Sequence, residues 1–315
     1  MANVLLSTKA VGSTVKLKVN GTAKEFIVVH QGKPSSLYDN SCDGTWLLMK
    51  DIYENRQWHN SNVNNLENST IHSYLNGTFL NLFESNIRDA IKQVKLPYRK
   101  NGGSGGSDQS GANGLLCKIF LLSGYEIGFT TSDNSYFPVD GAKLSYFEAG
   151  TGSSALNKRI AYLNGSAAYW WLRSPYTSLT NYVWYVFTNG SYNGYYASNP
   201  SGIRPALVLP STLLVSDDGT VSTNTPPTIT STSGASGVNL GSKTAAFSFK
   251  YTPNDADGDK LTVTEKLDGV VKKTRTNVTS GTQLTFECAS TAAEFQKILN
   301  GTHTITIEVS DGKAS

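Results

Sequence analysis

Four histidines, His30, His59, His72 and His303, are the natural candidates for acid-base or metal chemistry near neutral pH. They are scattered, with no HxH or HExxH spacing, so no zinc site is expected. The three cysteines, Cys42, Cys117 and Cys288, are far apart and in no CxxC pair, which suits buried reduced thiols better than a disulfide frame. The run GGSGGS (102–107) lacks both a strand-to-helix context and a GK[ST] ending, so it reads as a linker rather than a phosphate cradle. Asp255, Asp257 and Asp259 form a D-x-D-G-D turn that offers oxygen ligands to calcium. The twelve-residue EF-hand frame and its terminal Glu are absent, so the expectation is a solvated Asp/Gly turn, with no metal and no cofactor.

Binding chemistry is better represented. From Ser174 to Ile203 there is no Lys, Arg, Asp, Glu or His, while Tyr176 to Ser201 holds six Tyr, four Asn, four Ser and three Thr. Antibody loops use that mixture, because tyrosine gives a large contact area with little side-chain entropy to lose and Ser and Asn adapt their hydrogen bonds. The expected ligand-binding residues are Tyr176, Asn181, Tyr182, Tyr185, Phe187, Ser191, Tyr192, Asn193, Tyr195, Tyr196, Ser198 and Asn199, mostly sharing one exposed surface. Strand alternation through WYVF assigns Trp184 and Val186 to the scaffold and turns Tyr185 and Phe187 outward, unless a bulge shifts the register. Arg173 and Arg204, at the edges of the segment, read either as an anion site or as half-buried scaffold residues bonded to loop carbonyls; the second is the simpler.

These residues need a scaffold. VKLKV (15–19) and EFIVVH (25–30) flank Asn20-Gly21 as the arms of a hairpin would. Ser69 can cap a helix over TIHSYLN, and Ser85 one over NIRDAIKQV. Arg99 to Gly114 is a flexible surface loop by composition. Apolar runs LLCKIFLLS, YWWLRS and GIRPALVL complete an α+β domain with few helices. A Ser/Thr/Pro-rich stretch puts a domain boundary near Ser222 to Pro226, after which AFSFKY, LTVTEK and HTITIEV alternate as strands of a small Greek-key sandwich.

Length and charge narrow the function classes. A chain of 315 residues is long enough for about two domains. A net charge of +3 from 27 basic and 24 acidic residues makes no field that would recruit nucleic acid. No apolar run is long enough for membrane insertion, and Lys9 and Gly12 interrupt the only signal-like start, so export by the general route is not expected.

The pair YWWLRSP (169–175) and GIRPALVL (202–209) resembles the end of C-type-lectin-fold domains of bacterial and phage proteins. STIHSYLNGTFLNLF and IFLLSGYEIGF resemble the same family, some members of which are variable proteins of diversity-generating retroelements. In those, adenine-directed mutagenesis of Asn-type codons never yields Lys, Glu, Gln, Met or Trp. Tyr176 to Gly202 contains none of the first four, and of the fifth only Trp184, which would then be fixed scaffold. The second domain resembles immunoglobulin-like modules of bacterial surface and phage tail proteins. The resemblance implies an α+β C-type lectin fold over residues 1–222 that binds ligand, followed over 223–315 by an all-β immunoglobulin-like sandwich acting as spacer. It further implies a non-catalytic receptor-binding component of a phage tail or fibre, located in the virion. Its partners would be a bacterial surface protein or glycan and other tail or fibre subunits. A bacterial cell-surface adhesin is the alternative. Formylglycine-generating enzymes share the fold, but Cys42 and Cys117 lie outside the region where they keep their cysteine pair, so no enzyme is expected. The end on SDGKAS suits a fragment of a longer fibre.

Overall fold

The structure, a computed structural model, describes residues 4–223 and 225–312. It is mostly β-strand with few and short helices, and it divides into two compact units, Met1–Ser222 and Thr223–Ser315. None of the described helices is long and apolar enough to cross a membrane.

Two five-stranded sheets carry the first unit. Their strands are β1 (Thr14–Val19), β2 (Thr22–Gln31), β3 (Thr45–Met49), β4 (Glu54–Gln57), β5 (Ile119–Phe120), β6 (Trp170–Pro175), β7 (Tyr182–Val186), β8 (Tyr192–Tyr196), β9 (Pro200–Ile203) and β10 (Ala206–Leu209). The scaffold sheet has the order β5-β10-β3-β2-β1 and the second sheet β8-β7-β6-β9-β4. The β1–β2 hairpin forms where Asn20-Gly21 predicts it; both residues adopt positive φ, 49° and 70°, as the tight turn requires.

Every residue of TWLLM in β3, WWLRSP in β6 and ALVL in β10 is buried. A strand without alternation must be covered on both faces, and two hydrophobic clusters do this. One joins Leu47, Leu207 and Leu209 to Trp171, Val183, Tyr185 and the helical residues Ile71, Phe79 and Ile87. The other joins Trp46, Leu48 and Val208 to Trp170, Leu172 and Trp184, with Phe129 and Phe137 from the long irregular stretch after β5.

Ser69 caps helix α1 (Thr70–Tyr74), accepting the His72 N–H at 3.1 Å. The second predicted helix is shorter than its pattern suggests. Helix α2 spans Ser85–Ala90 with Ser85 inside it and no side-chain cap, and Val94 belongs to a strand that pairs with Leu115–Cys117. Cys42, Cys117 and Cys288 are buried free thiols.

A buried polar centre ties the irregular stretch to β6. Arg173 donates to Glu126 through both terminal nitrogens, at 2.5 and 2.7 Å, and to the carbonyls of Pro97, Leu121 and Asp140. Tyr38 donates its hydroxyl to Glu126 at 2.8 Å, and Ser174 donates to Asp140 Oδ2 at 2.7 Å. Arg204 lies where the chain passes from β9 in one sheet to β10 in the other, and donates to the carbonyls of Met49 and Lys50. Both arginines are carbonyl-bonded scaffold, and burial is nearly complete rather than partial.

In the second unit, β11 (Thr228–Ser231), β12 (Ser248–Asn254) and β15 (Leu284–Glu287) form one antiparallel sheet in the order β11-β12-β15. Strands β13 (Leu261–Leu267), β14 (Val270–Val278) and β16 (Ile305–Ser310) form another, with β13 central. Tyr251, Leu261, Val263, Phe286 and Val309 make its core. Inside it, Glu265 accepts the Tyr251 hydroxyl at 2.6 Å and pairs with Arg275.

Candidate binding surface

The Tyr-rich segment builds one edge of the second sheet. β8 is the outermost strand and, among the described residues, pairs with β7 alone, with Tyr182 opposite Tyr196, Val183 opposite Tyr195, Trp184 opposite Gly194 and Val186 opposite Tyr192. Directly opposed residues point to the same face of a sheet. The twelve expected binding residues therefore do not share one face; the edge splits them.

On one face the rings of Tyr182 and Tyr196 lie 4.5 Å apart, and Tyr176 stacks on Trp184 at 4.5 Å and on Tyr136 at 4.9 Å. Gly194 makes room for this group, since a Cβ there would lie 3.1 Å from the rings of both Tyr176 and Tyr182. Tyr192 points to the same face but is drawn inward against Phe129 and Phe137, its hydroxyl bonded to the Asp133 carbonyl at 2.6 Å.

On the other face Tyr185 stacks on Phe187 at 5.3 Å, touches Tyr195 at 5.5 Å and rests on Trp171 at 5.8 Å. Tyr169 closes the group, 5.6 Å from Tyr185 and 5.0 Å from Phe187. Alternation along WYVF holds, but the expected exposure of Tyr185 does not. It is 8% exposed, because this face is also covered, and burial pushes its phenol above the ordinary value.

What faces solvent is the rim. Tyr195 and Tyr196 are 39% and 41% exposed, Asn193 is exposed, and Tyr176, Asn181, Tyr182, Phe187, Ser191, Tyr192, Ser198 and Asn199 are half-buried. Several of the polar residues are spent locally: Asn193 Oδ1 accepts the Gly194 N–H at 2.8 Å, and Ser191 donates its hydroxyl to Asn189 at 2.7 Å. The Asn181 carbonyl accepts the Ala197 N–H, the Ser198 carbonyl accepts from Gln57 at 2.6 Å, and the Asn199 N–H donates to Tyr196.

Four contributors escaped the sequence reading. Tyr136 and Tyr169 extend the two aromatic groups and are themselves exposed. Tyr169 stands in the YWWLRSP motif, whereas nothing in the sequence marks Tyr136. Asn64, fully buried, donates its amide to the carbonyls of Tyr182 at 2.7 Å and Leu179 at 2.9 Å, and accepts the Gly103 N–H at 2.8 Å. Gly103 in turn touches the segment so closely that a Cβ would lie 1.8 Å from the Leu179 carbonyl oxygen. The glycine-rich loop is thus a hairpin, Tyr98–Lys100 paired with Ser107–Gln109, whose turn buries Gly102 and Gly103 and braces residues 176–182. Close backbone approach, rather than flexibility, is what its glycines provide here.

At the opposite edge of the same sheet, beside β4, a polar cleft of about 560 Å³ is lined by Asn55, Arg56, Gln57, Asn60, Thr70 and Pro200. Arg56 is already engaged there, paired with Glu54 at 2.9 Å and set over the Tyr74 ring at 3.6 Å.

Fold and surface together define a β-rich protein that presents an uncharged aromatic sheet edge on a doubly covered scaffold. Residues 43–211, more than half of the chain, match a family described as a domain of unknown function (DUF6273), and the chain belongs to that family. The match includes both sheet-forming motifs and the whole Tyr-rich segment. No curated protein and no solved structure shows a significant match to it.

Proposed function

We propose that this chain is a non-catalytic ligand-binding protein whose first unit is a C-type lectin fold displaying a diversified binding edge. In this reading it serves a phage tail or fibre and recognises a protein or glycan on a bacterial surface. The second unit is an immunoglobulin-like spacer.

The observation that carries the proposal is the rim of β8. Tyr195 and Tyr196, with Tyr136 and Tyr169, are exposed on both sides of one edge strand, while the rings beneath them are packed. Aromatic anchors of this kind dominate interface energetics, and packed neighbours hold them at little entropic cost. The fold assignment draws support from the adjacency of the two motifs: Trp170 of β6 pairs with Gly202 of β9, and GIRPALVL then crosses into the scaffold sheet. Substitutions at the rim change the ligand without touching either core, as diversification demands.

Two measurements test it. Full-length chain carrying Tyr195→Ala and Tyr196→Ala is compared with wild type for retention on cells of candidate host bacteria. Loss of retention, with a melting temperature lowered by no more than a few degrees because Tyr195 also covers Tyr185, is the expected result; equal retention sinks the assignment of the edge. The flanking DNA is expected to hold a near-identical template of the Trp170 to Leu207 coding segment, differing at adenines, beside a reverse transcriptase gene.

A further inference from the structure

The turn that joins β12 to β13 gathers three carboxylates. Asp255, Asp257 and Asp259 each offer one oxygen, and these three atoms lie within 4.8 Å of one another. Like charges at that distance repel, so the cluster needs compensation.

Hydrogen bonding accounts for only part of the Asp255 side chain. Its Oδ1 accepts the N–H groups of Asp257 at 2.9 Å and of Asp259 at 3.0 Å, which closes the turn. Asp255 is nevertheless only 8% exposed, and its Oδ2 is sealed from solvent with no hydrogen-bond partner among the described residues. A buried carboxylate oxygen without a donor is unfavourable unless a cation takes the donor's place. Among the described residues neither Asp255 nor Asp257 has an ion-pair partner with a basic side chain, and the adjacent Lys260 is directed to the Thr279 hydroxyl at 2.7 Å. The expectation of a fully solvated Asp/Gly turn therefore fits Asp257, which is exposed, and fails for Asp255.

We propose that Asp255, Asp257 and Asp259 bind a calcium ion, with Asp255 Oδ2 as the inward ligand and water completing the shell. An all-oxygen donor set selects a hard cation. Oxygens as much as about 4.8 Å apart can share calcium, whose bonds are about 2.3–2.6 Å, whereas magnesium at about 2.0–2.1 Å reaches across only about 4.2 Å. Asp257 also accepts the Thr225 N–H at 2.6 Å, so the ion fastens the first residues of the second unit to this turn. The proposal is independent of the binding edge on the first unit.

The test uses the full chain freed of divalent ions with EDTA, then titrated with calcium chloride to about 10 mM, roughly ten times the Kd of the weakest sites of extracellular type. Isothermal titration should show one saturable site. Calorimetry should show the melting transition of the second unit moving up by several degrees. The Asp257→Asn and Asp259→Asn double variant, whose fold in EDTA is checked by circular dichroism, should lose both effects; Asp255→Asn is a second variant wherever it folds. Absence of heat and of a melting shift in wild type overturns the proposal, as does an undiminished response in the double variant. An equal shift with magnesium overturns the assignment to calcium.

Discussion

The Asn64 amide donates to the Tyr182 carbonyl at 2.7 Å, joining a residue in the loop before the first helix to the start of the Tyr-rich strand pair. Because the same side chain accepts from Gly103 and donates to Leu179, one buried amide holds three segments in register. The exposed rim is only as well placed as this brace.

Replacing Asn64 with Ala should therefore act at a distance. It leaves the buried Gly103 N–H without its acceptor, at a cost of about 1–3 kcal/mol, and takes one donor from the Tyr182 and Leu179 carbonyls, which keep the N–H groups of Tyr176 and Ser104. Stability in urea should fall by roughly 2–4 kcal/mol, and amide exchange at residues 176–182 should accelerate selectively. Uniform acceleration throughout the first unit would mean that the bonds are not a local brace.

Gly103→Ala should produce the same local loosening for a steric reason. The added methyl would meet the carbonyl oxygens of Leu179 and Tyr176, at 1.8 and 2.2 Å, and backbone cannot yield as a side-chain tip can. A crystal structure of the variant should show the hairpin turn displaced from residues 176–179. An unmoved turn would contradict this account.

The two faces of the edge should separate stability from binding. Trp171→Ala removes a fully buried ring and should cost about 3–5 kcal/mol; Tyr185→Ala, at 8% exposure, should cost about 2–4 kcal/mol. Tyr196→Ala should cost less than about 1 kcal/mol, since much of its ring is already in water. Thermal unfolding of the three variants checks the order, and a Tyr185→Ala protein as stable as wild type would return Tyr185 to the exposed set.

Asp140 should make the first unit pH-sensitive. Burial pushes its carboxyl up to about 7 from an ordinary 3.8, against the opposing pull of Arg173. Between those values the native state holds a proton that the unfolded chain releases, so stability falls as pH rises. The favourable contribution is complete below about 3.8 and lost through about 7, on the order of 4 kcal/mol over the whole window. Asn at position 140 cannot titrate. The stability difference between wild type and Asp140→Asn, from urea titrations at several pH values, should shift toward the variant from pH 4 to pH 8. A constant difference would mean the carboxylate is charged throughout.

Much of this architecture is written in local pattern. The Asn20-Gly21 hairpin, the Ser69 cap, the buried runs WWLRSP and ALVL, and the alternation that separates Trp184 from Tyr185 all follow from backbone geometry and side-chain period over a few residues. The uncharged, Tyr-rich character of Tyr176 to Ser201 is likewise legible in composition alone. What lies on each face of a strand, however, is decided by chain far away in sequence. Tyr185 is buried because Trp171, Tyr169 and Tyr195 close over it, and Tyr136 joins the rim from a stretch without any period. Asn64 and Gly103 look like ordinary loop residues until folding brings the Leu179 and Tyr182 carbonyls to them. Asp255 reads as one of three solvated acids, and only the packing of its turn seals one oxygen from water. Periodicity fixes direction within an element, but burial is a sum over neighbours, and those neighbours exist only in the assembled fold.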